Sequence, residues 1–283
     1  MEQSSNPLAK HFRQPVLYIK LPSEGAFWPE GSINIPINGE IPVLSMSTKD
    51  EIVLRTPDAL LNGQGVVNVI ESCCPAIKDA WQMPSIDVDN VIIAIRIASY
   101  GNQMDFSSKC PHCNKTNDYA IDLGSVLSNI TAPDYSKKVE VDNLQIKLKP
   151  QPYFSVNKTN QIEFEEQQIM RTLSTPDLKS DAIKAIFNEQ LAKLISLNIE
   201  ILSGSTAYIE LVDGTIVSDI AYINEFYRNC DSKIVKLVKE MLSEMNTEHG
   251  LKPVPVVCNN EDCAKDFSVS ITFDFASFFA IGS

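Results

Sequence analysis

Hydrophobic and polar positions change period several times along the chain. Val16-Leu17-Tyr18-Ile19-Lys20 predicts a strand, and Ile33-Asn34-Ile35-Pro36-Ile37 alternates with the period of two that a half-buried strand needs. Leu21-Pro22-Ser23-Glu24-Gly25 closes the first as a turn, and Asn38-Gly39 joins the second to Ile41-Pro42-Val43 as a predicted hairpin. The prolines inside these runs mark the strands as short or as edges. A helical block follows. Val66 to Cys74 is a short apolar helix stopped by Pro75, and Asp87 to Ser99 is a longer one that Ser85 or Asp87 can cap. Arg96 is the odd residue in that nearly all-apolar run. It is either buried against a carboxylate or, the commoner outcome, snorkelling to the surface.

Past Tyr100-Gly101-Asn102, a C-terminal glycine signal, the period returns to that of strands on both sides of a cysteine turn. Val139-Glu140-Val141 and Leu144 to Leu148 then form a strand pair around Asp142-Asn143. From about residue 155 the pattern becomes helical: a charged helix from Glu163 to Leu173, then a long amphipathic one from Leu178 to Leu202. Tyr208 to Val217 reads as a hairpin around Asp213-Gly214, followed by helices from Ser218 or Asp219 to Tyr227 and from Ser232 to Met245. The predicted class is α+β, built of short strands, a split four-cysteine zinc ribbon and a mostly helical insertion. Its segments are a polar arm (1–14), an α+β domain carrying the first zinc hairpin (15–154), the insertion (155–250), and the second zinc hairpin with an apolar tail (251–283).

Cysteines carry the chemistry. Cys110-Pro111-His112-Cys113 and, after 144 intervening residues, Cys258-Asn259-Asn260-Glu261-Asp262-Cys263 both sit between strand-like flanks. A tetrahedral Zn²⁺ needs four soft ligands and each pair supplies two, so the simplest reading is one shared site of Cys110, Cys113, Cys258 and Cys263. Two disulfides or four unlinked thiols are the alternatives. His112 could replace a cysteine, although the middle residue of such a knuckle normally points outward. A shared site requires the insertion to leave and return at one place, as inserted domains do.

Composition narrows the function. With 24 basic against 36 acidic residues the chain carries a net charge of −12, which a phosphate backbone repels, so nucleic acid is disfavoured. No signal peptide opens the sequence and no run of about 18 apolar residues spans a bilayer, so a soluble protein made in the cytosol is expected. Seven cysteines, an odd number, fit a reducing compartment. Catalytic signatures such as H-E-x-x-H, G-x-S-x-G and G-x-x-x-x-G-K-[ST] are absent, and Asn62-Gly63-Gln64-Gly65 reads as a loop. The carboxylates Glu163, Glu165 and Glu166 read as a solvated helix face, and Cys73, Cys74 and Cys230 as small buried residues. Four thiolates close a metal's shell, so the site is structural and the protein is expected not to be an enzyme. Phe27-Trp28 on a loop and the apolar tail (Phe273, Phe275, Phe278, Phe279, Ile281) are left as packing or docking elements.

Leu21-Pro22-Ser23-x-Gly25-x-Phe27-Trp28, Ile95-Arg96-x-x-Ser99-Tyr100-Gly101 and the Cys110-Pro111-His112-Cys113 knuckle together resemble the baseplate protein family of T4-like contractile-tailed bacteriophages, over about residues 15–150. The resemblance implies a hub-region component of the tail baseplate. Such a component works through contacts with other baseplate or tail proteins, with self-association as an option and without membrane or nucleic acid. It would reside in the virion after assembly in the host cytoplasm. An assembly chaperone that leaves before the particle matures is the alternative, and a zinc-ribbon nucleic-acid adaptor or a metal-dependent hydrolase ranks lower. The family brings no catalytic residues to carry over.

Overall fold

The computed structural model describes residues 7–56, 63–161, 192–193, 195–249, 251–270 and 278–279. They group into two units, one drawn from 1–80, 87–130 and 251–283, the other from 81–86 and 131–250. The helices expected at 163–173 and over 178–191, with Glu163, Glu165 and Glu166, lie outside the described residues, as do Phe273, Phe275 and Ile281.

In the first unit, β1 (Pro15–Lys20) pairs antiparallel with β2 (Glu40–Leu44), setting Leu17 opposite Val43 and Ile19 opposite Ile41. The hairpin expected between 33–37 and 41–43 does not form. Ile33 instead bridges to Ile77, residues 34–37 carry no strand, and the partner of β2 is β1. The alternation of 33–37 signalled extended backbone, but the buried face of β2 is satisfied by Ile19, which is itself buried. Helix α1 (Thr48–Leu54) starts at a capping box in which Ser47 and Asp50 satisfy each other's backbone. Arg13 reaches into the same corner, its guanidinium donating to the Ser45 carbonyl at 2.7 Å, to Asp50 at 3.1 Å and to Ser72 at 3.0 Å. That anchors the end of the polar N-terminal stretch.

Helix α2 (Gln64–Cys73) begins directly after Gly63, whose φ of +76° only glycine adopts cheaply. Gln64 and Gly65, expected in a loop, are its first turn. Cys73 and Cys74 are buried, and burial pushes their thiols up, Cys73 to about 12 although the Arg13 guanidinium lies 3.9 Å from its sulfur. Helix α3 (Ser85–Tyr100) is buried on almost every side, as its continuous apolar run requires. Asp87 in its first turn is fully buried and accepts from the Ser23 backbone N–H (2.8 Å), the Ser23 hydroxyl and the Trp28 indole (2.9 Å). Burial raises its pKa against the pull of those donors. The loop carrying Phe27 and Trp28 is therefore tied to α3 through Trp28, while Phe27 stays 44% exposed.

Arg96 is 7% exposed and meets no carboxylate within hydrogen-bond reach among the described residues. Its Nε donates to the Phe278 carbonyl at 2.9 Å, and its guanidinium lies 4.5 Å from the centre of the Tyr100 ring. Both expected outcomes thus fail, because a ring face and a backbone carbonyl take the place of the carboxylate. Phe278 and Phe279 are buried, so this part of the apolar tail packs back on the core.

The second unit is a four-stranded antiparallel meander in the order β5 (Lys138–Val141), β6 (Leu144–Leu148), β7 (Thr206–Glu210) and β8 (Ile216–Val217). Asp142 and Asn143 both take positive φ, 45° and 67°, as a two-residue hairpin turn with the right twist demands. These two strands belong with residues 131–250 because the partner of β6 is β7. The helices after the sheet, which we number α5 (Ile220–Asn229) and α6 (Ser232–His249), cover the face made by Val139, Ile146 and Ile209. Asp219 caps α5 through the Ala221 N–H, and the Tyr227 hydroxyl meets that of Thr206 at 2.8 Å inside the core.

A candidate metal centre of four cysteines

Two hairpins of the first unit present the cysteines. The longer is β3 (Gln103–Lys109) with β4 (Thr116–Asp122), and the shorter is β9 (Val254–Val257) with β10 (Asp266–Val269). A short helix, α4 (Leu123–Ser128), follows β4, capped by Asp122 through the Gly124 N–H, and was not anticipated. Its Leu-Gly-Ser-Val-Leu-Ser sequence is too poor in helix formers and too short to show a period.

The knuckles close alike although two residues separate the cysteines of the first and four those of the second. In each, the first cysteine's N–H donates to the carbonyl of a lysine two residues past the second cysteine: Cys110 to Lys115 and Cys258 to Lys265, both at 3.0 Å. In each, the residue between second cysteine and lysine takes positive φ, Asn114 at 59° and Ala264 at 42°. This reversal aims both sulfurs of a pair to the same side. The His112 N–H points at the Cys110 sulfur (3.4 Å), while the His112 side chain is exposed and takes no part in the cluster.

The four sulfurs converge. Cys110 and Cys263 lie 3.8 Å apart, Cys113 and Cys258 3.6 Å, and all four fall within 4.8 Å of one another. A tetrahedron with zinc–sulfur bonds of about 2.3 Å has an edge of about 3.8 Å, so the donor set fits such an ion. All seven cysteines are free thiols, so neither disulfide pairing is formed. The protonation pattern reflects the crowding. Burial alone would raise Cys110, but the N–H groups of His112 and Cys113 and the neighbouring thiols bring it down to about 7. For Cys263 the Lys265 N–H favours the thiolate, yet burial and the other three sulfurs win and push it up to about 11. Cys258 is pulled down by the Asn260 N–H and by Cys263, yet burial and the sulfurs of Cys113 and Cys110 leave it raised. Four sulfurs this close cannot all ionise in one another's field unless a cation sits among them.

Aromatic and polar groups tie the hairpins around the sulfurs. Tyr119 on β4 lies 5.5 Å from Phe106 and 6.1 Å from Phe267, and its hydroxyl donates to the Val257 carbonyl at 3.1 Å. Lys115 reaches Asn260 at 2.9 Å, and the Asn259 side chain donates to the Asp118 carbonyl at 3.1 Å. Neither Tyr119 nor Asn117, which joins the same contact, stood out in sequence. Elsewhere, a groove of about 540 Å³ between residues 140–145 and 210–214 of the second unit holds Glu140, Asp142 and Glu210. Lys138 binds Glu210 at 2.6 Å and Lys233 faces Asp142 at 3.6 Å, and among the described residues no histidine, cysteine or serine lines the groove.

A profile of the family described as T4 bacteriophage base plate protein matches residues 34–280, most of the chain and both cysteine pairs. The chain belongs to that family. The base plate protein is accordingly a phage tail component whose contacts are with other tail and baseplate proteins. No curated protein and no solved structure gives a significant match. No helix among the described residues is long and apolar enough to cross a membrane.

Proposed function

We propose that this base plate protein is a structural subunit of the hub region of a contractile tail, non-catalytic, retained in the virion, and stapled by a structural Zn²⁺ on Cys110, Cys113, Cys258 and Cys263. The observation that carries the reading is the closed four-sulfur cluster joining two hairpins whose cysteines Cys113 and Cys258 are 145 residues apart. A set of four thiolates leaves no coordination position for water or substrate, so the ion would supply folding free energy and no Lewis-acid chemistry. Conformational freedom is what a load-bearing particle component must lose. Cross-linking distant segments removes it without a large core. The acidic surface, net −12, favours protein partners over nucleic acid.

Quantitative mass spectrometry of purified virions, set against infected-cell lysate, tests the reading. A fixed ratio of this chain to other tail proteins in intact particles supports a structural subunit, and the ratio gives its symmetry. Abundance in lysate with absence from particles would make it an assembly chaperone instead. Zinc at one equivalent per purified chain tests the staple separately.

A further inference from the structure

We infer that Asn117 is a positioning residue for the four-sulfur site, fastening the second knuckle to the first so that Cys258 faces the metal; this deepens the zinc reading and rests on it. Asn117 lies on β4, four residues past Cys113, and is 6% exposed, which is unusual for an asparagine without a full set of partners. Its Oδ1 accepts from the Asn259 backbone N–H at 3.0 Å and lies 3.7 Å from the Cys258 sulfur. Its Nδ2 donates to the Lys115 carbonyl at 3.0 Å. These two bonds fix which end of the amide is oxygen, since exchanging the ends would set oxygen against carbonyl and N–H against N–H.

One buried amide therefore spans from the backbone of the first knuckle to the backbone beside a sulfur of the second, across 142 residues of chain. The Lys115–Asn260, Tyr119–Val257 and Asn259–Asp118 bonds cross the same gap, but at the solvent surface, where water replaces a lost partner. The Asn117 bonds differ in being shielded and in acting on the residue next to a ligand. Groups that orient metal ligands in this way are worth about 10–100-fold in metal affinity.

The test uses the full-length chain as wild type, Asn117→Ala, Asn117→Asp and Lys115→Ala. Zinc affinity is read by competition with a chromophoric chelator, and ligand geometry by the thiolate-to-metal and d–d absorption of the Co²⁺-loaded protein. Asn117→Asp keeps the volume but turns the donor to the Lys115 carbonyl into an acceptor. Both Asn117 variants are expected to bind zinc about 10–100-fold more weakly with shifted Co²⁺ bands. Lys115→Ala, at the exposed bond, is expected to stay within about twofold. If Asn117→Ala does not accumulate as folded protein, Asn117→Asp carries the test. Wild-type affinity and spectra in the Asn117 variants overturn the positioning role while leaving the zinc reading intact. A wild-type chain that binds neither Zn²⁺ nor Co²⁺ overturns both.

Discussion

Replacing Cys258 and Cys263 together by serine removes half of the proposed metal site and leaves the hairpin sequence otherwise intact. The loop closed between Cys113 and Cys258 is 145 residues long. In the chain-entropy account of cross-links, closing a loop of that length is worth about 5 kcal/mol, a large share of the roughly 5–15 kcal/mol that stabilises a typical domain. What remains across the gap are the Tyr119–Phe267 ring contact and hydrogen bonds worth about 1 kcal/mol each, mostly at the surface. The β9–β10 ladder has only four residue pairs, and an isolated two-stranded hairpin is marginal in water. The variant should therefore lose hydrogen-exchange protection at Val254–Val257 and Asp266–Val269 and lose bound zinc. The seven-pair β3–β4 ladder should keep much of its protection. Exchange followed by mass spectrometry, with metal content measured on the same sample, reads both. If the double variant retained metal at one equivalent with unchanged protection over 254–269, the shared site would be refuted.

Three further outcomes are expected. Asp87→Asn turns one acceptor oxygen into a donor facing Ser23 or Trp28 in a fully buried site, and should cost roughly 2–3 kcal/mol in urea unfolding, with a change in Trp28 fluorescence; a shift below the error of the midpoint would remove Asp87 as the anchor of that loop. Asp89 is raised to about 6 by burial, so the folded state holds a proton that the unfolded state has already released between about pH 4 and 6. Stability should fall as pH rises through that window and stay lower above it, by about 1–3 kcal/mol, and Asp89→Asn should remove the slope; parallel melting-temperature profiles for the two proteins would contradict this. Ala264, held at a φ of +42°, should be better served by glycine, with Ala264→Gly gaining about 0.5–1 kcal/mol from relieved strain net of unfolded-state entropy. An unchanged or lower denaturation midpoint would count against strain there.

The convergence of the four cysteines was legible because two closely spaced cysteine pairs between strand flanks are displayed by the sequence without knowledge of partners. The parallel closure of the knuckles was not, since two-residue and four-residue spacings look unlike until the Lys115 and Lys265 carbonyls are seen in the same role. Strand pairing failed for a related reason. Residues 33–37 and 41–43 showed the right alternation around Asn38-Gly39, but alternation reports a pleated, half-buried surface and not its neighbour, which proved to be β1. Arg96 was recognised as anomalous while its partners were not, because a ring four residues on and a carbonyl 182 residues on leave no charge signal in the sequence. Asn117 was equally silent: a polar residue in a polar strand flank becomes informative only once its burial is known.

Separation of the two knuckles along the chain also sets an order of events during synthesis. At translation rates of about 5–20 residues per second, the interval between emergence of Cys113 and of Cys258, 145 residues later, is roughly 7–30 s. Throughout that interval the first pair of thiols stands alone, able to hold a metal ion by only two bonds and open to other ligands. Every residue of 131–250 leaves the ribosome within it, so the second unit has its whole sequence available before the ribbon can close. Closure of the first unit thereby waits for the synthesis of Cys258 and Cys263, and under the proposed zinc reading the cell's supply of free zinc matters most at that moment.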